Sequence, residues 1–227
     1  MVPILFAGQP VPVIFENDEL IALDKPVGLA SIPERNPKNV SLLSVLAAAR
    51  QQKFYVVHRL DKQVSGVILF AKTPGFHRYL NLQFEHRQVQ KTYLAVVHGQ
   101  LSRGGRIETP LRRFGSGRMA EDREHGKPCV TEYEVLANRP EATLLRVRPL
   151  TGRKHQIRAH LFGIGHPIIG DPLYGDKRFQ RTFPRLMLHA LGIEFRLPDG
   201  RPIEIRTAAP SGFEPSAARA AGYASLR

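Results

Sequence analysis

The chain has 227 residues, 42% hydrophobic and 23% charged, which is a globular composition rather than a disordered one. Its formal charge is +13, and 24 of its 33 basic residues are arginine, whose guanidinium forks match phosphates and base edges. The single cysteine, Cys129, excludes an internal disulfide and a cysteine zinc cluster. The longest apolar runs fall short of the roughly 20 residues that cross a bilayer, and the start, broken by Pro3, Pro10 and Pro12, has no basic leader.

These features predict a soluble, cytoplasmic protein with a polyanionic partner and no membrane. In chain order, 12–15 (PVIF) and 19–24 (ELIALD) read as strands split by the turn-like Glu16-Asn17-Asp18, and Lys25-Pro26-Val27-Gly28 stops the second. Residues 31–39 read as a polar loop. Ser41 caps a predicted helix over 42–50 that ends in Arg50, where a cation suits the helix dipole. Runs 53–57 and 66–71 read as buried strands on either side of His58-Arg59-Leu60-Asp61-Lys62-Gln63-Val64-Ser65. Thr73-Pro74 is a cap with proline at the first helical position, and Phe76, Leu80 and Phe84 give helix 74–87 an apolar face.

Strand 91–97 follows. The Gly/Arg-rich stretch 102–127 predicts a short strand inside long, flexible loops, and strands are expected at 129–136 and 143–148. A helix over 155–162 is opened by Thr151-Gly152-Arg153, a Gly/Pro loop covers 163–176, and 187–197 with 202–206 form a hairpin around Pro198-Asp199-Gly200. The Ala-rich tail from 216 suits a short helix. Strands outnumber helices and connections are short, so the fold class is α+β with a mixed, mainly antiparallel sheet and flanking helices.

Three segments can carry chemistry. Asp61, flanked by Arg59 and Lys62, is favoured as an anion and suits a nucleophile, a general base, a metal ligand, or simply a salt-bridged loop aspartate. On helix 155–162, His155 and Arg158 lie one turn apart, and an arginine there can hold a buried carboxylate bidentately. A zinc reading of His155, His160 and His166 fits poorly, because His155 and His160 are five residues apart with no acidic residue between them. In Lys91-Thr92-Tyr93, the tyrosine is either plain strand packing or a ring on which an extruded base stacks. Phosphate-loop and nucleophile-elbow patterns are absent, which argues against nucleotide-driven and cysteine chemistry.

Taken in order, DELIALDKPVGL (18–29), HRLDKQVSGVILFAKT (58–73), VQKTYLAVVHG (89–99), LTGRKHQIRAHL (150–161) and GHPIIGDPLYG (165–175) resemble the RluA family of RNA pseudouridine synthases. The resemblance runs from Val13 to Ile205. It departs at Val64 and Lys154, where the family usually has threonine, and it predicts a single catalytic domain over 1–227 without the S4 RNA-binding domain that many members carry in front.

The resemblance implies the pseudouridine synthase fold with a central RNA-binding cleft. It implies Asp61 as the catalytic aspartate, Arg59 as the side chain that occupies the space of the flipped base, Tyr93 as the ring stacked on the uracil, and Arg158 as the partner of the carboxylate. Lys25, His58, His155 and Leu150 are placed with Arg59 on the substrate-binding side, Lys25 with Gly28 in a motif near the cleft, and the two histidines as orienting groups. No metal and no cofactor are expected. The partner is structured RNA, tRNA and/or large-subunit rRNA, met by a monomer. Arginines of 103–118 with Lys177, Arg178, Arg181 and Arg185 are candidate phosphate contacts. Two rival functions are an RNA-binding or folding factor with little turnover, and a nucleoside or sugar hydrolase using Asp61, which would release free uracil.

Overall fold

A computed structural model describes residues 2–36, 39–115 and 117–213, so the tail expected to be helical lies outside the described residues. In chain order the elements are β1 (Leu5–Phe6), β2 (Gln9–Pro10), β3 (Val13–Glu16), β4 (Leu20–Lys25), α1 (Leu42–Arg50), β5 (Tyr55–Val56), β6 (Ser65–Ala71), α2 (Pro74–Glu85), β7 (Gln90–His98), β8 (Gly105–Ile107), β9 (Leu111–Arg113), β10 (Met119–Glu121), β11 (Thr131–Arg139), β12 (Ala142–Pro149), α3 (Gln156–Gly163), α4 (Lys177–Gln180), β13 (Leu188–Arg196) and β14 (Pro202–Arg206). The pairs β3–β4, β4–β6, β5–β6, β7–β12, β8–β11, β11–β12 and β13–β14 are antiparallel, which gives the mainly antiparallel α+β class. Among the described residues no helix is long and apolar enough to cross a membrane. The chain divides into two compact units, Met1–Gln90 with Ala190–Ala208, and Lys91–His189 with the chain after Ala208.

In the first unit the strand order is β3-β4-β6-β13, with β5 beside β6 and β14 beside β13. β6 is buried at every position and β4 at all but one, as expected of apolar runs covered on both faces. α2 begins where Thr73 accepts the Phe76 N–H and Pro74 occupies the first turn. Its Phe76 and Leu80 pack with Leu20, Ala22, Leu69, Ile193 and Phe195 in one core. A Leu80→Ala cavity there would cost about 2–5 kcal/mol. α1 is closed by a reciprocal Ser41–Ser44 capping box and buries Leu42 and Leu46.

In the second unit β7, β12, β11 and β8 are successive neighbours. Tyr93 stands opposite Val147, and β11 carries an irregularity between Val135 and Ala137. α3 buries Gln156 through Leu161. A smaller core joins Leu111, Met119, Cys129, Ala159 and Tyr174.

Three local expectations are corrected. Residues 53–57 form only the two-residue β5, half-buried, because the chain leaves the β6 edge after Val56. The stretch 102–127 holds three short strands rather than one: Leu111 and Met119 anchor a β9–β10 ribbon, and Asp122 closes the next turn by accepting the Glu124 and His125 N–H groups. α3 starts at Gln156, since His155 adopts a left-handed conformation (φ 51°) that cannot be its first helical residue.

Candidate active site

The loop between β5 and β6 carries the aspartate singled out by sequence. Its main chain is tied on both sides of that residue. Before it, the buried Ser31 hydroxyl donates to Leu60 O (2.8 Å) and accepts from Leu60 N–H (3.0 Å), replacing a strand partner. After it, Lys62 O accepts from Gly28 N–H (2.8 Å) and from Lys25 Nζ (3.2 Å). Asp61 O itself accepts the Val64 N–H at 3.0 Å, which closes the turn. Asp61 is half-buried and Arg59 is exposed.

Lys25 is 0% exposed. Its ammonium also donates to Pro26 O (2.9 Å) and Leu29 O (2.8 Å), so it binds the 26–29 turn to the Asp61 loop through carbonyl groups. His58 accepts the Leu69 N–H on Nε2 (3.0 Å), which leaves that nitrogen unprotonated, and its ring stacks on Phe84. Lys25 and His58 therefore hold the frame from which Asp61 projects.

The second unit holds the other residues. Tyr93 is half-buried on β7. Arg158, in α3, donates through Nε and Nη2 to the two oxygens of Asp171 at 2.7 and 2.8 Å, with side chains 3% and 0% exposed. Its guanidinium also lies 5.3 Å from the Tyr174 ring. The Tyr174 hydroxyl accepts the Met119 N–H (2.9 Å) and lies 3.3 Å from His155 Nδ1. Burial raises the pKa of this phenol, so it stays neutral. Leu150 is 40% exposed, and its N–H donates to Val130 O.

Gln156 organises the turn before α3. Its Oε1 accepts from the Thr151 hydroxyl (2.7 Å) and Arg153 N–H (3.0 Å), while its Nε2 donates to Val130 O and Thr131 Oγ1. His160, considered above as a metal ligand, lies in the core against Thr131 and Thr109, and burial lowers its pKa. Lys91 Nζ donates to Thr151 O at 3.2 Å, and burial pushes its pKa down to about 8.

Of the arginines expected to meet phosphates, Arg106 and Arg112 are already neutralised: Arg106 pairs with Glu108 and Glu132, and Arg112 with Asp122, while Arg185 lies over the Phe213 ring and keeps its charge. At the ribbon tip Phe114 is 45% exposed beside the exposed Arg113.

Sequence reasoning missed three organising groups. Asp171 lies in the Gly/Pro loop expected over 163–176 and carries no signal there beyond a turn. Gln156 lies inside HQIR, where its charged neighbours carry the stronger chemical signal. Ser31 had no local signal, since its partner Leu60 is 29 residues away.

Residues 19–162 match the family described as RNA pseudouridylate synthase. The chain is 37% identical over 194 residues to the dual-specificity RNA pseudouridine synthase RluA of Vibrio vulnificus, covering 82% of this chain and 78% of that protein. It is 37% identical over 208 residues to the ribosomal large subunit pseudouridine synthase C of the same organism, covering 88% of this chain but 65% of that longer protein. Among solved structures, human RNA pseudouridylate synthase domain containing 1 is similar with a TM-score of 0.76 at 25% identity, over 91% of this chain and 86% of that one.

Proposed function

The chain belongs to the RNA pseudouridylate synthase family, in its RluA group, and from that premise we propose that it isomerises particular uridines of structured RNA with Asp61 as the acting carboxylate. In this reaction the C1′–N1 bond of uridine breaks and a C1′–C5 bond forms. C5 gives up its proton and N1 gains one, so substrate and product are isomers and no oxidant or nucleotide energy is needed. What is needed is an extruded base, an ionised carboxylate at the sugar, and a site that retains the detached uracil.

The observation that carries the reading is the HRLDKQVSG loop, inside the matched stretch, with its main chain tied down on both sides of Asp61. Such ties pre-set the carboxylate and reduce the ordering left for the reaction. Arg59, exposed beside it, has the reach to fill the place of the extruded base and so offset about a few kcal/mol of lost stacking. In the second unit Tyr93 offers a ring on which a uracil can stack, and α3 presents Arg158, whose guanidinium is fixed by Asp171. The name of the ribosomal large subunit relative supports large-subunit rRNA as a target; tRNA as an alternative or further target, a cytoplasmic location and a monomeric state are part of the proposal.

The test is Asp61→Asn. Mass spectrometry of treated RNA transcripts is expected to find no pseudouridine, with RNA affinity within a few fold of the parent. Normal product from this variant ends the reading. Free uracil released by the parent replaces it with a hydrolase.

A further inference from the structure

The cations of the second unit are not all neutralised. Arg106, Arg112, Arg123, Arg146 and Arg158 each have a carboxylate partner. Among the described residues, Lys91, Arg148, Arg153 and Lys154 have none in the same sense: no carboxylate lies within 4.0 Å of their nitrogens. The last three are exposed, and water suffices for them. Lys91 differs. The residue is half-buried, and among the described residues its ammonium donates one hydrogen bond, to Thr151 O. A cation held out of water with one neutral acceptor is electrostatically incomplete, and burial has already weakened its hold on its proton.

The approach to that ammonium is open. A β-carbon added at Gly152 would lie 3.7 Å from Lys91 Nζ and meet no other atom within 4 Å. The glycine therefore leaves a window over the ammonium, and its two exposed successors, Arg153 and Lys154, add positive charge at the rim. Strand alternation puts Lys91 on the same face of β7 as Tyr93, about 7 Å along the strand. The arrangement suits an anion with several oxygens that arrives from solvent attached to something flat on Tyr93.

We infer that Lys91, reached past Gly152 and flanked by Arg153 and Lys154, seats a backbone phosphate of the RNA next to the nucleotide received by Tyr93. This rests on the RNA pseudouridine synthase reading above. The seated phosphate supplies the counter-charge that the fold withholds.

The experiment measures binding of a fluorescently labelled tRNA transcript by anisotropy across a salt series, in an Asp61→Asn background so that nothing turns over. Replacing Lys91 by methionine is expected to weaken binding about tenfold or more at low salt and to reduce the slope of log affinity against log salt by about one. Lys91→Arg keeps most of the affinity. Melting temperature separates this role from a structural one, because removing a disfavoured charge leaves it unchanged or raises it. Equal affinity and slope in Lys91→Met and its parent sink the phosphate seat alone. A lowered melting temperature also overturns it, by making Lys91 a structural residue. A parent with no RNA affinity sinks both this inference and the functional reading beneath it.

Discussion

Arg158 and Asp171 face each other through two hydrogen bonds of 2.7 and 2.8 Å in a site from which water is almost excluded. Asp171 Oδ1 further accepts the N–H groups of Leu173 (2.9 Å) and Tyr174 (3.2 Å), so one carboxylate fixes both the α3 guanidinium and the following turn. Removing it leaves a buried, uncompensated cation. Asp171→Ala is therefore expected to lose about 3–5 kcal/mol in urea unfolding. Asp171→Asn keeps an oxygen for the two backbone donors and should lose less. The pair Asp171→Leu with Arg158→Met should recover part of the loss, because neither charge then remains buried. An Asp171→Ala variant as stable as the parent would show that the pair is not what holds this turn.

Two glycines with left-handed backbones should respond very differently to alanine. Gly66, at φ +114°, would place a β-carbon 2.2 Å from Ala190 O, a backbone atom that cannot swing aside. Gly28, at φ +85°, would meet nothing within 4 Å. Gly28→Ala should cost only the backbone preference, about 1–2 kcal/mol. Gly66→Ala adds a clash between neighbouring strands, so it should fail to accumulate in soluble form or melt far below Gly28→Ala. Comparable melting temperatures for the two would refute the steric distinction.

Ser31→Ala removes both hydrogen bonds to the Leu60 main chain and leaves a buried N–H and C=O unsatisfied. The expected stability loss is about 1–3 kcal/mol. The loop carrying Asp61 also loses its tie on the N-terminal side, so single-turnover rates on saturating RNA should fall while RNA affinity stays close to the parent. Rates equal to the parent's would mean that Lys25 and Gly28, on the other side of Asp61, suffice to hold the loop.

The parts of this fold legible in sequence were those fixed by local chemistry. Ser41 and Thr73 cap α1 and α2 as their side chains predict, and the apolar run over 66–71 is fully buried. The irregular parts were harder because their partners are distant in the chain. The β9–β10 ribbon is anchored when Met119 meets the Tyr174 hydroxyl, 55 residues away, which no local pattern announces. His155 read as a helical residue because histidine tolerates a helix; its left-handed backbone is imposed by the turn that Gln156 organises. At the candidate site, motif residues such as Arg158 were legible, whereas the groups that hold them were not: Asp171 and Ser31 act through bonds that exist only after folding.

Lys91 also gives a pH dependence with a definite sign. In the folded chain burial holds its pKa near 8, against an ordinary value of 10.5. Below about 8 the lysine is charged in both states and the burial penalty is fully present. Between 8 and 10.5 the unfolded chain keeps a proton that the folded chain has released, so this group makes stability rise with pH. Lys91→Met should thus be the more stable protein at pH 7, and its advantage should shrink as urea midpoints are measured towards pH 10. The exposed Arg148, Arg153 and Lys154, the half-buried His98, and the buried His160 and Tyr174 are common to both proteins and cancel in the difference. A seated phosphate acts in the opposite direction by restoring the lysine's hold on its proton. RNA binding at pH 8–9 should therefore take up a proton, read as a buffer-dependent binding enthalpy, and Lys91→Arg should abolish that uptake while still binding RNA. A stability gap that widens with pH would contradict burial as the cause. Proton uptake that survives Lys91→Arg would assign it to another group.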